Sequence, residues 1–158
     1  MKTKLLFTTA LAALILASCS NDEGINIDQI PTEVISDFEG RHPGNSGITW
    51  EREGNYYEAE FFENGLEKEI VYDLDGNWIQ SECEMSMDDV PAAAIAYIEV
   101  NYPGASLDKA EAITRPDGDY VEVEITDGKK EYELLFDLDG NFIEEVIEAD
   151  NDEDGGDD

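Results

Sequence analysis

Two short acidic segments of this chain have the residue types and spacing of a calcium-binding loop. The oxygen-bearing residues are Asp73, Asp75 and Asn77 in one segment and Asp137, Asp139 and Asn141 in the other. They match the first, third and fifth positions of an EF-hand pattern, but Trp78 and Phe142 stand where that loop needs its invariant glycine. Asp-Gly is also typical of a tight hairpin turn. We therefore favour a hairpin turn over a metal site, with calcium as the second interpretation.

A second candidate site comes from glutamates that alternate with apolar residues. This alternation is typical of half-buried antiparallel strands, in which one face carries the charges. If the sheets of the two segments lie side by side, their polar faces form one broad acidic surface with aromatic anchors, which would suit a basic protein partner. A plain solvated face is the other interpretation. The candidate partner-binding residues are Tyr56, Glu58, Glu60, Phe62, Tyr120, Glu122 and Glu124.

Enzymatic chemistry finds little support in the sequence. The single histidine, His42, precedes Pro43 at the predicted end of a helix, so helix termination explains it. No Ser-His-Asp set, glycine-rich phosphate loop or His- and Cys-based metal cluster can be assembled. We predict that the protein is not an enzyme and uses no cofactor. Cys83 is expected to be a small core residue in a strand.

The N-terminal residues predict a cellular location rather than a part of the fold. Lys2 and Lys4 precede a short apolar stretch, which is too short to span a bilayer and is typical of a secretory signal. It ends in Leu-Ala-Ser-Cys19, which resembles the bacterial lipobox; an ordinary signal peptide is the alternative. We predict a lipoprotein signal peptide (1–18), lipidation at Cys19, and a polar tether (19–26). The expected location is the cell envelope, at the outer membrane or cell surface.

The charge balance restricts the partners. The net charge is −31, and removal of Lys2 and Lys4 leaves seven basic residues against 40 acidic ones. Nucleic acid is excluded, because binding to phosphates needs clustered Lys and Arg. Membrane contact is expected through the lipid anchor only. The acidic tail, residues 150–158, is predicted to be disordered.

A long internal repeat indicates the architecture. Between 54–79 and 118–143, twelve of 26 positions are identical. In each copy a proline-led helix ending in Pro-Gly precedes alternating strands joined by Asn-Gly or Asp-Gly turns. This predicts an α+β fold of two tandem units, 27–86 and 87–149. In each unit one helix packs on a three- to four-stranded antiparallel sheet.

These features resemble the PepSY-like, beta-lactamase-inhibitor-like domains of bacterial envelope proteins. The resemblance rests on the Pro-led helix, the Tyr-x-Glu-x-Glu strand and the Asp-Leu-Asp-Gly-Asn hairpin, and it extends over about residues 27–148. It implies a binding or inhibitory module without catalytic residues. We therefore expect a non-enzymatic, lipid-anchored envelope protein that binds an unidentified protein through its acidic, aromatic-studded sheet face. The alternative is an envelope protein that binds calcium or another cation through the Asp-rich hairpins and the acidic tail.

Overall fold

The structure is a computed structural model that describes residues 25–147. Each of two ten-residue helices, α1 (Thr32–Arg41) and α2 (Ala92–Asn101), follows a 3-10 turn and a proline in extended conformation. Proline suits this position because its fixed φ and missing N–H cost nothing where a helix begins. The strands are β1 (Thr49–Glu53), β2 (Tyr56–Glu63), β3 (Leu66–Asp73), β4 (Trp78–Glu84), β5 (Ser106–Arg115), β6 (Gly118–Asp127), β7 (Lys130–Asp137) and β8 (Phe142–Ile147).

All eight strands form one antiparallel sheet, and this corrects the predicted fold class. The strands follow one another in space in the order β1 to β8, so the chain does not form two tandem units that each carry a separate sheet. The joint is the β4–β5 ladder, in which Cys83 lies opposite Ala112. Joining these strands pairs two backbone edges that separate sheets would have left open. The molecule is therefore mostly sheet, with two short helices.

Both helices lie on the same face of this sheet, over two separate apolar cores. The first 3-10 turn is Ile27–Gln29 and the second is Met87–Asp89. We call residues 27–84, from the first 3-10 turn to the end of β4, the first half. Residues 87–147, from the second 3-10 turn to the end of β8, are the second half. Val34 and Phe38 of α1 pack on the first-half core, and Ala94 and Ile98 of α2 pack on the second. Between the cores the same face carries the small side chains of Ser81, Cys83, Ala112 and Thr114. Cys83 is partly exposed there, so the expectation that it is a core residue was wrong.

The repeated Asp-Gly turns lie against the helix N-termini. Gly76 and Gly140 have φ of +85° and +81°, a region that favours glycine. A Cβ added at Gly140 would lie 2.7 Å from the backbone nitrogen of Ala94, whereas at Gly76 the nearest atom would be Glu33 Cβ at 3.4 Å. Each turn therefore fixes the entry of its helix onto the sheet, more tightly in the second half.

Several predictions concern residues outside the described range. The signal peptide, Cys19 and the acidic tail lie in 1–24 or 148–158, so they stay predictions. Within 25–147, no helix is long and apolar enough to cross a membrane. Ile25 belongs to the folded part, because its N–H donates to the carbonyl of Trp50 at 2.9 Å and its side chain packs against the first core. The predicted tether thus overlaps the fold at its end.

Candidate functional site: a carboxylate-lined sheet face

The sheet face opposite the helices carries the predicted acidic residues of both halves. On β2, Ala59 and Phe61 are buried in the first core, so their alternating neighbours occupy the other face. The same alternation on β6 buries Val121, Val123 and Ile125 in the second core. Because β4 pairs with β5, the two faces are continuous. The structure thus places on one surface Tyr56, Glu58, Glu60, Phe62, Tyr120, Glu122 and Glu124.

These residues differ widely in exposure, and the difference separates two roles. Glu58 and Glu122 are only 6% and 8% exposed, although both helices lie on the opposite face. Side chains of neighbouring strands therefore shield these two glutamates from solvent. Phe62 is 68% exposed and is available to a partner. Glu58 and Glu122 belong to the buried floor of the face, so they cannot present their full charge at its rim.

The β4–β5 joint adds residues that sequence reasoning did not select. Glu82 and Glu111 are 2% and 8% exposed, and Lys109 lies beside them on β5. They were missed because their position depends on a strand pairing that local patterns do not reveal. Their only signal was the alternation of polar residues along β4 and β5. With acids of both halves they line a cavity of about 130 Å³, whose lining residues are Glu60, Glu67, Lys68, Glu69, Glu82, Lys109, Glu111, Glu122, Glu124 and Glu133.

Burial raises the pKa of several of these carboxyl groups. Desolvation, reinforced by Glu82 and Glu111, raises the pKa of Glu122 to about 8. Burial and the neighbouring Glu82 and Glu58 also raise the pKa of Glu69 well above its usual range. Cross-strand neighbours cause part of this effect, because Glu69 lies directly opposite both Glu60 and Glu82. Like charges placed directly opposite each other destabilise a sheet.

Two basic side chains offset part of this charge near the joint. Lys109 Nζ lies 3.1 Å from Glu111 Oε1 and 3.9 Å from Glu124 Oε1. Arg115 Nε donates to Gln80 Oε1 at 2.9 Å, and the Gln80 amide donates to Glu82 Oε1. The guanidinium carbon also stands 5.5 Å from the ring centre of Tyr120, which is a cation–π distance. Charge compensation is therefore concentrated on β5 and its neighbours.

The aspartates of the two hairpins are engaged in turn hydrogen bonds. Asp73 Oδ1 accepts the backbone N–H groups of Asp75 and Asn77, and the Asn77 amide donates to Asp73 Oδ2 at 2.8 Å. Asp137 is bound in the same way by Asp139 and Asn141. The hydrogen bonds from Asn141 hold the pKa of Asp137 below its usual range.

The geometry of these turns bears on the calcium interpretation. In each turn the asparagine directs its amide nitrogen at the aspartate, so this group acts as a donor. Glu84, at the twelfth position of the EF-hand pattern, lies at the far end of β4 from the turn. These arrangements are those of a self-contained hairpin.

His42 follows α1 and belongs to a polar network of the first half. Its N–H donates to the Phe38 carbonyl at 2.8 Å, and its ring packs 4.8 Å from that of Phe61. His42 Nδ1 lies 3.2 Å from Glu63 Oε1, while Lys68 Nζ lies 2.6 Å from Glu63 Oε2. These two partners lower the pKa of Glu63 to about 2. The contacts are those of a structural residue at a helix terminus.

Comparison with known proteins identifies the family. Residues 55–144 match the family described as "Putative beta-lactamase-inhibitor-like, PepSY-like". The chain belongs to this family. The match includes the β4–β5 joint and most of the carboxylate-lined face, and it confirms the PepSY-like resemblance over residues 55–144. No protein of curated function matches this chain.

Solved structures share the PepSY-like fold. A BLIP-like protein from Bacteroides fragilis is 26% identical, with a TM-score of 0.63 over 80% of this chain and 92% of its own. A DUF2874 family protein from Bacteroides uniformis is 24% identical, with a TM-score of 0.65 over 74% of this chain and 88% of its own. A "putative periplasmic" protein from Bacteroides eggerthii is 20% identical, with a TM-score of 0.65 over 75% and 88%.

Proposed function

We propose that this protein is a non-enzymatic, inhibitor-like binding module of the cell envelope that recognises a basic protein surface. Binding uses the rim of the sheet face opposite the helices, by which we mean its exposed residues Phe62, Glu67 and Glu131. The observation that carries the proposal is the combination of an exposed aromatic, Phe62, with acids on a face that no element within 25–147 covers. Exposed aromatic anchors beside charged rims are typical of protein interfaces.

The family and the exposure pattern both support this function. The family is described as beta-lactamase-inhibitor-like, and a structural relative is described as BLIP-like. On this surface Glu67 and Glu131 are exposed and occupy equivalent positions on β3 and β7. They, rather than the buried Glu58 and Glu122, present negative charge to a partner. The predicted lipid anchor at Cys19 would hold the module at the outer membrane or cell surface.

The proposal is tested by capture of envelope proteins with a matched pair of charge reversals. The protein is prepared from Ser20 onward, which retains Ile25. One variant carries Glu67→Lys and Glu131→Lys on the proposed rim; the control carries Glu39→Lys and Glu99→Lys on exposed positions of α1 and α2. Both variants change the net charge equally. We expect the rim variant to lose a partner that the wild type and the control retain.

A third variant tests the aromatic part of the surface. Phe62→Ala removes the exposed ring with no change of charge, and we expect weaker retention of the same partner at moderate salt. Partner loss in the rim and control variants alike would show that bulk charge, and no defined surface, is responsible. Retention by the rim variant and by Phe62→Ala together would overturn the proposal.

A further inference from the structure

The two halves carry the same three glutamates on the carboxylate-lined face, but they neutralise them differently. By the sequence repeat, Glu58, Glu60 and Glu69 correspond to Glu122, Glu124 and Glu133. The ladders place them alike: Glu60 lies opposite Glu69, and Glu124 lies opposite Glu133. Equivalent backbone positions thus hold equivalent carboxylates in both halves.

The cross-strand neighbour of the middle glutamate, Glu60 or Glu124, differs in charge between the halves. In the second half Lys109 lies opposite Glu124, with its ammonium group near both Glu111 and Glu124. In the first half the position opposite Glu60 is held by Thr49, which is exposed and carries no charge. Opposite the equivalent glutamate, the second half therefore has the ammonium group of Lys109, whereas the first half has the hydroxyl group of Thr49.

The first-half carboxylates are arranged closely enough to share one ion. Glu58, Glu60 and Glu69 each offer an oxygen, and these oxygens lie within 4.8 Å of one another. Oxygens around a bound Ca²⁺ lie about 2.3–2.6 Å from the ion, so separations of this size are compatible with a common ligand. Among residues 25–147, this is the one group of three acids whose oxygens all lie that close together.

A buried oxygen beside this group provides an independent observation, because it has no hydrogen-bond partner. Glu82 is 2% exposed and lines the same cavity as Glu60 and Glu69. Its Oε1 accepts from Gln80, but its Oε2 is buried with no hydrogen-bond partner in the described part of the chain. Oε1 of Glu69 is in the same state. A buried carboxylate oxygen without a partner is costly, and a cation would satisfy it.

We propose that Glu58, Glu60 and Glu69, with Glu82 beside them, bind a hard divalent cation that does in the first half what Lys109 does in the second. Oxygen-only ligands from carboxylates select Ca²⁺, Mg²⁺ or Mn²⁺ over softer metals. Ca²⁺ fits best, because it accepts irregular sets of carboxylates and completes its shell with water, whereas Mg²⁺ demands near-octahedral geometry. This site is separate from the Asp-Gly hairpins and goes beyond the proposed partner binding.

Exchange of the two cross-strand residues, Thr49 and Lys109, provides the decisive experiment. The protein from Ser20 to Asp158 is stripped with a chelator and titrated with CaCl₂, and separately with MgCl₂, by calorimetry. Thr49→Lys supplies the first half with an internal ammonium group. We expect it to weaken Ca²⁺ binding by more than about tenfold, as Glu69→Gln also should. Lys109→Thr should create a second site of the same kind.

Thermal melts distinguish loss of the site from loss of the fold. Without metal, Thr49→Lys and Glu69→Gln should melt above the wild type, because the first adds an ammonium group beside the carboxylates and the second removes a buried acidic group. With Ca²⁺, the wild type should gain stability and the two variants should gain much less. A variant that melts higher in the absence of metal is folded, so its failure to bind cannot be ascribed to misfolding.

Two controls separate this site from other acidic groups. Asp73→Ala with Asp137→Ala removes the hairpin carboxylates, and truncation after Ala149 removes the acidic tail. Uptake that survives both changes and is lost in Thr49→Lys supports the proposal. Uptake that is lost in either control and kept in Thr49→Lys would overturn it, as would the absence of Ca²⁺ binding to the wild type at millimolar concentration.

Discussion

The two halves of the sheet share a backbone plan but differ in the side chains that compensate polar groups. In the first half, the Tyr72 hydroxyl donates to Asp37 at 3.0 Å, and Lys68 and His42 hold Glu63. In the second half, Phe136 takes the place of Tyr72 and packs with Tyr97 and Phe142. The sheet plan thus fixes where polar groups meet, and single residues decide how each half satisfies them.

The tightest contact that distinguishes the halves is at the glycine of each Asp-Gly turn. Gly140→Ala should destabilise the protein by about 1–2 kcal/mol for its left-handed φ and by a further roughly 1–3 kcal/mol for the clash with α2. Gly76→Ala should cost only about the first of these amounts, because its neighbours are farther away. Urea unfolding of both variants measures the difference.

Gly128→Ala serves as the control for this comparison. Gly128 has φ of +71° with no atom within 4 Å of an added Cβ, so it reports the cost of the backbone conformation alone. Equal losses at Gly140 and Gly128 would show that close approach to α2 contributes nothing.

The second half should also show a distinct pH dependence through Glu122. Its pKa rises from 4.5 to about 8 on folding, so between these values the folded state holds a proton that the unfolded state has lost. The free energy of unfolding should therefore fall as pH rises from 4.5 to 8, by at most about 1.4 kcal/mol per pH unit for this group. Glu122→Gln should reduce that slope in urea titrations at pH 5, 6.5 and 8, and the part contributed by Glu69 and Glu82 should remain.

The neighbours of Glu122 have to be considered in this test. Glu82, Glu111 and Glu124 oppose its ionisation, and Arg115 favours it. Glu67→Gln removes a carboxylate from the exposed part of the same face and controls for the change in net charge. A wild-type slope that persists in Glu122→Gln would contradict the assignment.

Exchange of the core aromatics tests whether the halves are interchangeable. Tyr72→Phe gives the first half the residue of the second and removes the bond to Asp37. We expect a loss of about 0.5–1.5 kcal/mol, since Asp37 keeps Arg41 at 2.6 Å. Phe136→Tyr would bury a hydroxyl at a fully buried position and should cost about 1–3 kcal/mol. A smaller loss for Phe136→Tyr than for Tyr72→Phe in chemical denaturation would show that the second half also offers a partner.

The smallest expected effect concerns Glu63. Lys68 and His42 lower its pKa from 4.5 to about 2, so its contribution to stability is present above pH 4.5 and is lost as pH falls toward 2. Glu63→Gln should therefore lower the melting temperature slightly at pH 5 and should match the wild type near pH 2. Lys68→Gln should reproduce this pattern, and a pH-independent difference in either variant would count against it.

Local patterns predicted most of the elements of this fold. The proline-led helices, the Asn-Gly and Asp-Gly turns and the alternating strands all depend on residues close in sequence. The single sheet was not predicted, because the pairing of Cys83 with Ala112 joins segments separated by a helix. No local signal distinguishes that ladder from two separate sheets.

The carboxylate-lined face was predicted from the sequence, but the burial of its residues was not. Alternation placed Glu58, Glu60, Glu122 and Glu124 on one face, but it implied that all of them contact solvent. Alternation also does not reveal the β4–β5 joint, which brings Glu82 and Glu111 between the halves. The family resemblance followed from short motifs around the hairpins, and those motifs lie mostly outside the cavity.

The sequential order of the strands has a kinetic consequence. Every strand pairs with its neighbours in the chain, so six of the seven ladders are hairpins that close short loops. Proteins dominated by local contacts fold faster than those with distant pairings. The exception is the β4–β5 ladder, whose closure must wait for the intervening residues and α2 to become compact. We expect this joint to form last and to open first, so that hydrogen exchange at Cys83 and Ala112 would report the separation of the halves before either one unfolds.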